Sequence, residues 1–244
     1  MGTVISLHLP EGDADGIQAA AAYAWLHEVD RRFSPYRPDS EVSRLIRGEL
    51  AEVDVSDDLR GVLDLAEAVR ILSDGAFDIR GHRPDAAPDP TGVVKGWAAE
   101  RAGLILAAAG VPRFCLNAGG DVVVRGGQAP GVPWRIGIAH PDGGTALVLE
   151  AMDLSVATSG TVERGSHIAD GRSGQAAPAE LRTITVAGPS LARADAYATA
   201  AFAMGEAGTR WTLGLPGYGA AAITADGRVV TTPLLRTWRA PSPA

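Results

Sequence analysis

Arg113-Phe114-Cys115-Leu116-Asn117-Ala118-Gly119-Gly120-Asp121-Val122-Val123-Val124-Arg125 is the stretch that sets the fold class. Its halves, 113–117 and 121–125, are short apolar runs parted by a Gly-Gly connection, so they read as consecutive strands. Further strands follow at 134–139, 146–150, 153–157 and 182–187. A terminal pair, 219–224 with 228–232, is joined through Asp226-Gly227, a favourable hairpin turn. Upstream lies one strand, 3–9, then a helix over 16–32 on which Ile17, Ala21, Trp25 and Val29 recur at four-residue spacing. Pro35 and Pro38 end that helix, Ser40 followed by Ser43 starts a short helical turn, and 57–73 forms a second amphipathic helix ending near Gly75. Residues 79–94 read as loop, with Pro84, Pro88, Pro90, Gly81 and Gly92 as breakers. A third helix runs from about Lys95 to Ala109 and stops at Gly110; two more are expected at 191–204 and 206–213.

Strands bunched in the middle, with helices before and after, predict an α+β fold rather than a Rossmann domain. Its sheet is expected to be mixed and mostly antiparallel, flanked by helices. No internal repeat is visible. The expected organisation is a single domain over 1–239 with a disordered tail at 240–244.

Composition narrows the function. The chain is 46% hydrophobic and 21% charged, an ordinary globular balance. A net charge of −7 argues against a nucleic-acid-binding surface, which needs a basic patch. No apolar run reaches the roughly 18 residues of a membrane span. The N-terminus carries no basic segment followed by an apolar stretch and cleavage site, so the expected location is cytoplasmic. A single cysteine, Cys115, excludes an internal disulfide framework. Within a chain rich in Ala, Gly, Arg and Pro, only one lysine (Lys95) and one asparagine (Asn117) remain, which marks both positions for attention.

Four constellations carry chemistry. In Ala194-Asp195-Ala196-Tyr197-Ala198-Thr199, a carboxylate and a hydroxyl four residues apart share one helix face. Both are hard oxygen ligands suited to Mg²⁺, which keeps room for phosphate oxygens and water. The surrounding alanines make a thin helix that lets another backbone approach. In Asp89-Pro90-Thr91-Gly92-Val93-Val94-Lys95-Gly96, a loop enters a helix whose N-terminus favours an anion. Lys95 at that helix start opposes the dipole, which makes sense where an anion or an aspartate offsets it. Asn117 through Asp121 forms a packed polar turn. Ala157-Thr158-Ser159-Gly160 supplies a hydroxyl lip for a ligand, followed by His167-Ile168-Ala169-Asp170.

Taken in order, these segments resemble the ApbE family of flavin transferases. The resemblance also rests on Met1-Gly2-Thr3, on Phe33 through Glu41, on Gly75-Ala76-Phe77-Asp78 and on His167 through Gly174, so it spans almost the whole chain. It implies transfer of FMN from FAD to a Thr or Ser hydroxyl of a target protein, with release of AMP and with Mg²⁺ as cofactor. Asp195 and Thr199 would ligate the metal through their side chains, with the Gly92 carbonyl as a further ligand. Met1, Tyr36, Ala76, Phe77, Asp78, Asp89, Lys95 and Ile168 would line the FAD site, joined by Ser159 from the hydroxyl lip. His167 would be the base for the acceptor hydroxyl, and Lys95 would also act in catalysis by neutralising charge on the diphosphate. A FAD diphosphatase, or a flavin-binding protein without turnover, would use the same phosphate site. Two departures from the family pattern stand out. Only ten residues, 79–88, separate Asp78 from Asp89, where a longer insertion is usual; the cavity is then shallower or completed by a second subunit in a homodimer. Gly171-Arg172-Ser173-Gly174 replaces the usual Pro-Arg-Thr-Gly, which predicts a looser loop.

Overall fold

In a computed structural model, described for residues 3–13, 15–83, 85–161 and 168–241, nine strands and seven α-helices follow one another. The order begins with β1 (Ile5–His8), α1 (Ile17–Phe33), α2 (Glu41–Ile46), α3 (Asp57–Leu72) and α4 (Thr91–Ala108). Then come β2 (Phe114–Ala118), β3 (Asp121–Arg125), β4 (Trp134–Ala139), β5 (Thr145–Ala151), β6 (Leu154–Gly160) and β7 (Leu181–Gly188). The chain continues through α5 (Leu191–Ala203), α6 (Glu206–Trp211), β8 (Gly219–Thr224), β9 (Val229–Thr231) and α7 (Pro233–Thr237).

Seven strands form one sheet in the order β1-β2-β3-β6-β7-β8-β9, and β4-β5 form a separate hairpin. Every pairing is antiparallel, so the expected sheet is realised without a parallel component. β3 lies beside β6 because the hairpin is an excursion whose ends meet: Gly127 N donates to Met152 O at 3.0 Å.

Period-two alternation assigns the two faces of the sheet. Phe114, Leu116, Val123, Ala157, Ile184 and Val186 point to the helices, in one apolar cluster with α1, α3, α4 and α5. Val122, Val124, Leu154 and Val156 point the other way, against Trp134, Ile136, Ile138, Leu147 and Leu149 of the hairpin. The hairpin has one apolar face and one wet one, as its buried–exposed alternation requires. On the helical side α1 is held to α4 by Trp25, whose Nε1 donates to Ala98 O at 3.1 Å and whose ring meets Trp97. Glu100 of α4 accepts from Ser190 Oγ (2.6 Å) and Ala192 N (2.9 Å), which satisfies two donors at the N-terminus of α5.

Three boundaries differ from the sequence expectation. α4 begins a turn earlier, at Thr91, because Pro90 suits a helix entry and Asp89 Oδ1 accepts from Thr91 N at 3.1 Å. Lys95 therefore sits in the second turn instead of at the start. β6 runs on to Gly160, so Thr158 and Ser159 are strand residues and not a loop lip. α7 was not anticipated; its Pro233 opens the helix and Leu235 is fully buried. Ser40, by contrast, caps α2 by accepting from Ser43 N at 3.0 Å, as their spacing suggests. In the C-terminal segment, Ala240 N donates to Val148 O at 2.8 Å, and residues 242–244 lie outside the described residues.

Candidate functional site

The site gathers where the N-terminal half of α4 crosses α5 above strands β3 and β6. Asp195 is 6% exposed, and its Oδ2 accepts from Gly96 N at 3.1 Å. Thr199, one turn further along α5, donates its hydroxyl proton to Asp195 O at 3.1 Å. That fixes the direction of the next contact: Ser159 Oγ donates to Thr199 Oγ1 at 3.1 Å, since Thr199 has one proton to give. Ser159 reaches α5 because it shares the helix-facing side of β6 with Ala157.

Gly92 lies one turn before Gly96. In a helix the carbonyl of residue i points at the N–H of residue i+4, so the Gly92 carbonyl is aimed at the same Gly96 N–H that Asp195 meets. The structure thus brings Asp195 and Thr199 together on α5, with the Gly92 carbonyl aimed at the N–H that Asp195 meets. Their oxygens fit Mg²⁺: a hydroxyl with a lone pair beyond its contact with Ser159, an almost buried carboxylate and a backbone carbonyl are all hard donors. Among the described residues no group of three or more His, Cys, Asp or Glu could hold a metal ion. A centre here would draw on few side chains and leave positions for phosphate and water, as Mg²⁺ prefers.

Lys95 points to the sheet. Its Nζ lies 2.5 Å from Asp121 Oδ2, with the Asp121 side chain only 2% exposed. Asp121 Oδ1 accepts from Thr158 N at 3.1 Å, and Thr158 Oγ1 meets Thr185 Oγ1 at 2.8 Å. Asn117 Oδ1 accepts from Gly120 N at 2.8 Å and closes the Gly119-Gly120 turn, whose residues have φ +61° and +93°. Sequence reasoning named the Asn117–Asp121 turn but gave Asp121 no role. The signal was present in the lone lysine, which needs an anionic neighbour.

The flavin-site candidates are spread more widely. Ala76 and Phe77 are 1% and 5% exposed, and a Cβ on Gly92 would meet Phe77 Cε2 at 4.0 Å, ordinary van der Waals contact. Asp78 Oδ1 accepts from Arg80 N at 2.8 Å, and Asp78 borders a cavity of about 250 Å³ along α3 with Leu63, Ile79 and Pro88. Asp89 is exposed at the entry to α4. Tyr36 is 87% exposed on the turn between α1 and α2. Ile168 is half-buried and packs on the helical core. Met1 and His167 lie outside the described residues.

The loop at 168–177 is tighter than its sequence suggests. Asp170 N donates to Gln175 O, Gly174 N to Asp170 O, and the Arg172 guanidinium clamps the Asp170 carboxylate. That guanidinium holds the Asp170 carboxyl below the usual carboxylate range. Gly171 N donates to Ala76 O at 3.0 Å, and a Cβ on Gly171 would collide with Gly75 O and Asp78 Cβ. Glycine in place of proline thus lets this loop close onto the Gly75–Asp78 segment instead of loosening it.

A layered α+β fold here sets a lysine–aspartate pair beside a helix that carries a carboxylate and a hydroxyl one turn apart. The profile of the ApbE family matches residues 1–83 and 79–221. The chain belongs to the ApbE family. A FAD:protein FMN transferase of Vibrio cholerae is 27% identical over 239 residues, an alignment covering 74% of this chain and 71% of that protein. The Escherichia coli K12 protein of the same name is 27% identical over 169 residues, covering 65% of this chain and 47% of its own length. This chain therefore spans about half of that relative. Among solved structures, the flavin transferase ApbE from Vibrio cholerae superposes with a TM-score of 0.81 at 23% identity, covering 98% of this chain and 96% of that one. The ApbE protein of Thermotoga maritima gives 0.84 at 22% identity, covering 98% and 95%. These likenesses establish the fold. Among the described residues no helix is long and apolar enough to cross a membrane.

Proposed function

We propose that this chain moves FMN from FAD to a Thr or Ser hydroxyl of a protein acceptor and releases AMP, with Mg²⁺ as its cation. The observation that carries the reading is the convergence of Lys95–Asp121 and Asp195–Thr199 on the N-terminal half of α4, in a member of a family whose relatives carry that activity in their names.

Cleaving a diphosphate requires alignment and neutralised charge more than covalent help. Lys95 supplies a point charge to the phosphate oxygens, and the α4 N-terminus adds its dipole. Gly92, Asp195 and Thr199 would hold Mg²⁺, which neutralises the diphosphate when bound. Ala76, Phe77, Asp78, Asp89, Tyr36, Ser159, Ile168 and Met1 are assigned to FAD. His167 is assigned as the base: the acceptor hydroxyl loses its proton to the imidazole, its oxygen bonds to the FMN phosphorus, and the bond to the bridging oxygen breaks so that AMP leaves. Residues 1–239 act as one domain in this reading. The short 79–88 segment supports a homodimer, whose mass sedimentation would give.

Incubation with FAD and Mg²⁺, with and without a tagged acceptor protein, tests the proposal. AMP together with acceptor-bound flavin is the expected result. AMP with free FMN in both samples would make it a diphosphatase, and intact bound FAD a carrier. Asp195→Ala is expected to abolish Mg²⁺-dependent AMP release, and His167→Ala to reduce transfer more than FAD affinity.

A further inference from the structure

A closed circuit of contacts runs through the site and returns to its start. Lys95 meets Asp121, Asp121 accepts from Thr158 N, and the neighbouring Ser159 donates to Thr199. Thr199 donates to Asp195 O, and Asp195 Oδ2 accepts from Gly96, the residue after Lys95. Consecutive residues on a helix point about 100° apart, so Lys95 faces the sheet while Gly96 faces α5.

We infer that Asp121 is a positioning residue that sets where the Lys95 ammonium stands relative to the phosphate-binding end of α4. A lysine stem is flexible, and its charge is useful only where something fixes it. Asp121 is suited to fix it. Its side chain lies on the helix-facing side of β3 with Val123, directly after the Gly119-Gly120 turn. One carboxylate oxygen is tied to the main-chain N–H of Thr158, so the sheet backbone sets the orientation of the carboxylate. An ammonium carries three protons, so it can be anchored on Asp121 and still meet a phosphate oxygen. The same backbone segment sets Ser159 against Thr199, so lysine and candidate metal ligands take their spacing from one strand.

The inference rests on the transferase reading, and its test separates the two. Asp121→Asn keeps the shape and the acceptor for Thr158 N while removing the charge. It is expected to lower kcat for AMP release by roughly 10–100-fold with KM for FAD little changed. In the Lys95→Met background the same change is expected to cost nothing further; losses that multiply would mean a general structural role and overturn the inference. Because Lys95 is the only lysine, ¹⁵N-lysine labelling gives one side-chain ammonium signal. That signal is expected to shift on adding ADP with Mg²⁺ in the wild-type protein, and to broaden and lose the response in Asp121→Asn. An ammonium signal indifferent to Asp121→Asn would overturn the inference. If the wild-type protein leaves FAD uncleaved, the transferase reading falls, and the dependence of the ammonium response on Asp121 still decides the positioning role.

Discussion

A Cβ on Gly96 would stand 2.8 Å from Asp195 Cβ and 2.9 Å from the Leu191 carbonyl oxygen, closer than unbonded atoms pack. Both neighbours belong to α5, and one is backbone, so they cannot swing aside. Gly96→Ala would gain about 1 kcal/mol of helix propensity but cost about 1–3 kcal/mol in overpacking. The net expectation is a lower melting temperature and, under the proposed function, weaker Mg²⁺ binding; an unchanged melting curve would contradict this account of the α4–α5 crossing. Gly61 in α3 has open space around it, so Gly61→Ala is expected to stabilise by about 0.5–1 kcal/mol, read by the same melts. At this scale the sequence was informative where chemistry is unusual. A lone lysine near a helix start and an Asp-x-x-x-Thr pair in an alanine-rich helix both pointed into the site. Asp121 was harder to assign, because its partner lies on another element and pairing across tertiary structure leaves no local spacing.

Elements were legible to within a turn where periodicity or a cap dictated them, as at α1, α3 and the β8–β9 hairpin. Two misreadings share a cause. Thr158-Ser159-Gly160 resembles a loop by composition, yet it is held in β6 by β7, with Thr158 opposite Thr185 and Gly160 opposite Thr183. Tertiary pairing overrode local preference. Likewise the 168–177 loop owes its closure to Gly171 N, which only a non-proline residue can donate to Ala76 O. Gly171→Pro would remove that donor and press the ring on Gly75 and Asp78. We expect faster proteolysis within 168–177 and weaker FAD binding, with the far-UV circular dichroism unchanged; normal FAD affinity in that variant would separate this loop from the flavin site.

The whole molecule also titrates. Tyr218 packs between Tyr197 and the β7 terminus, 7% exposed, and burial pushes its phenol up to about 12. Its neutral form is favoured in the folded state, so the contribution is complete below about pH 10, where an unfolded tyrosine ionises, and is lost as pH rises towards 12. The size is on the order of 2–3 kcal/mol, from about two pKa units. Urea midpoints are expected to fall between pH 10 and 12, and to fall less in Tyr218→Phe; parallel declines would place the alkaline transition elsewhere.

The circuit from Lys95 through Asp121, Thr158, Ser159, Thr199 and Asp195 also has a chronology. Its members leave the ribosome in sequence order, and the closing contact between Gly96 and Asp195 spans 99 residues. A nascent chain carrying β1 to β6 already holds the lysine and its aspartate, but has no α5 to complete the cradle and no β7 to cover β6. Such an intermediate exposes strand edges and apolar faces until β7 and α5 appear. Flavin would then engage only once α5 has emerged, and its binding would certify that α4 and α5 had met.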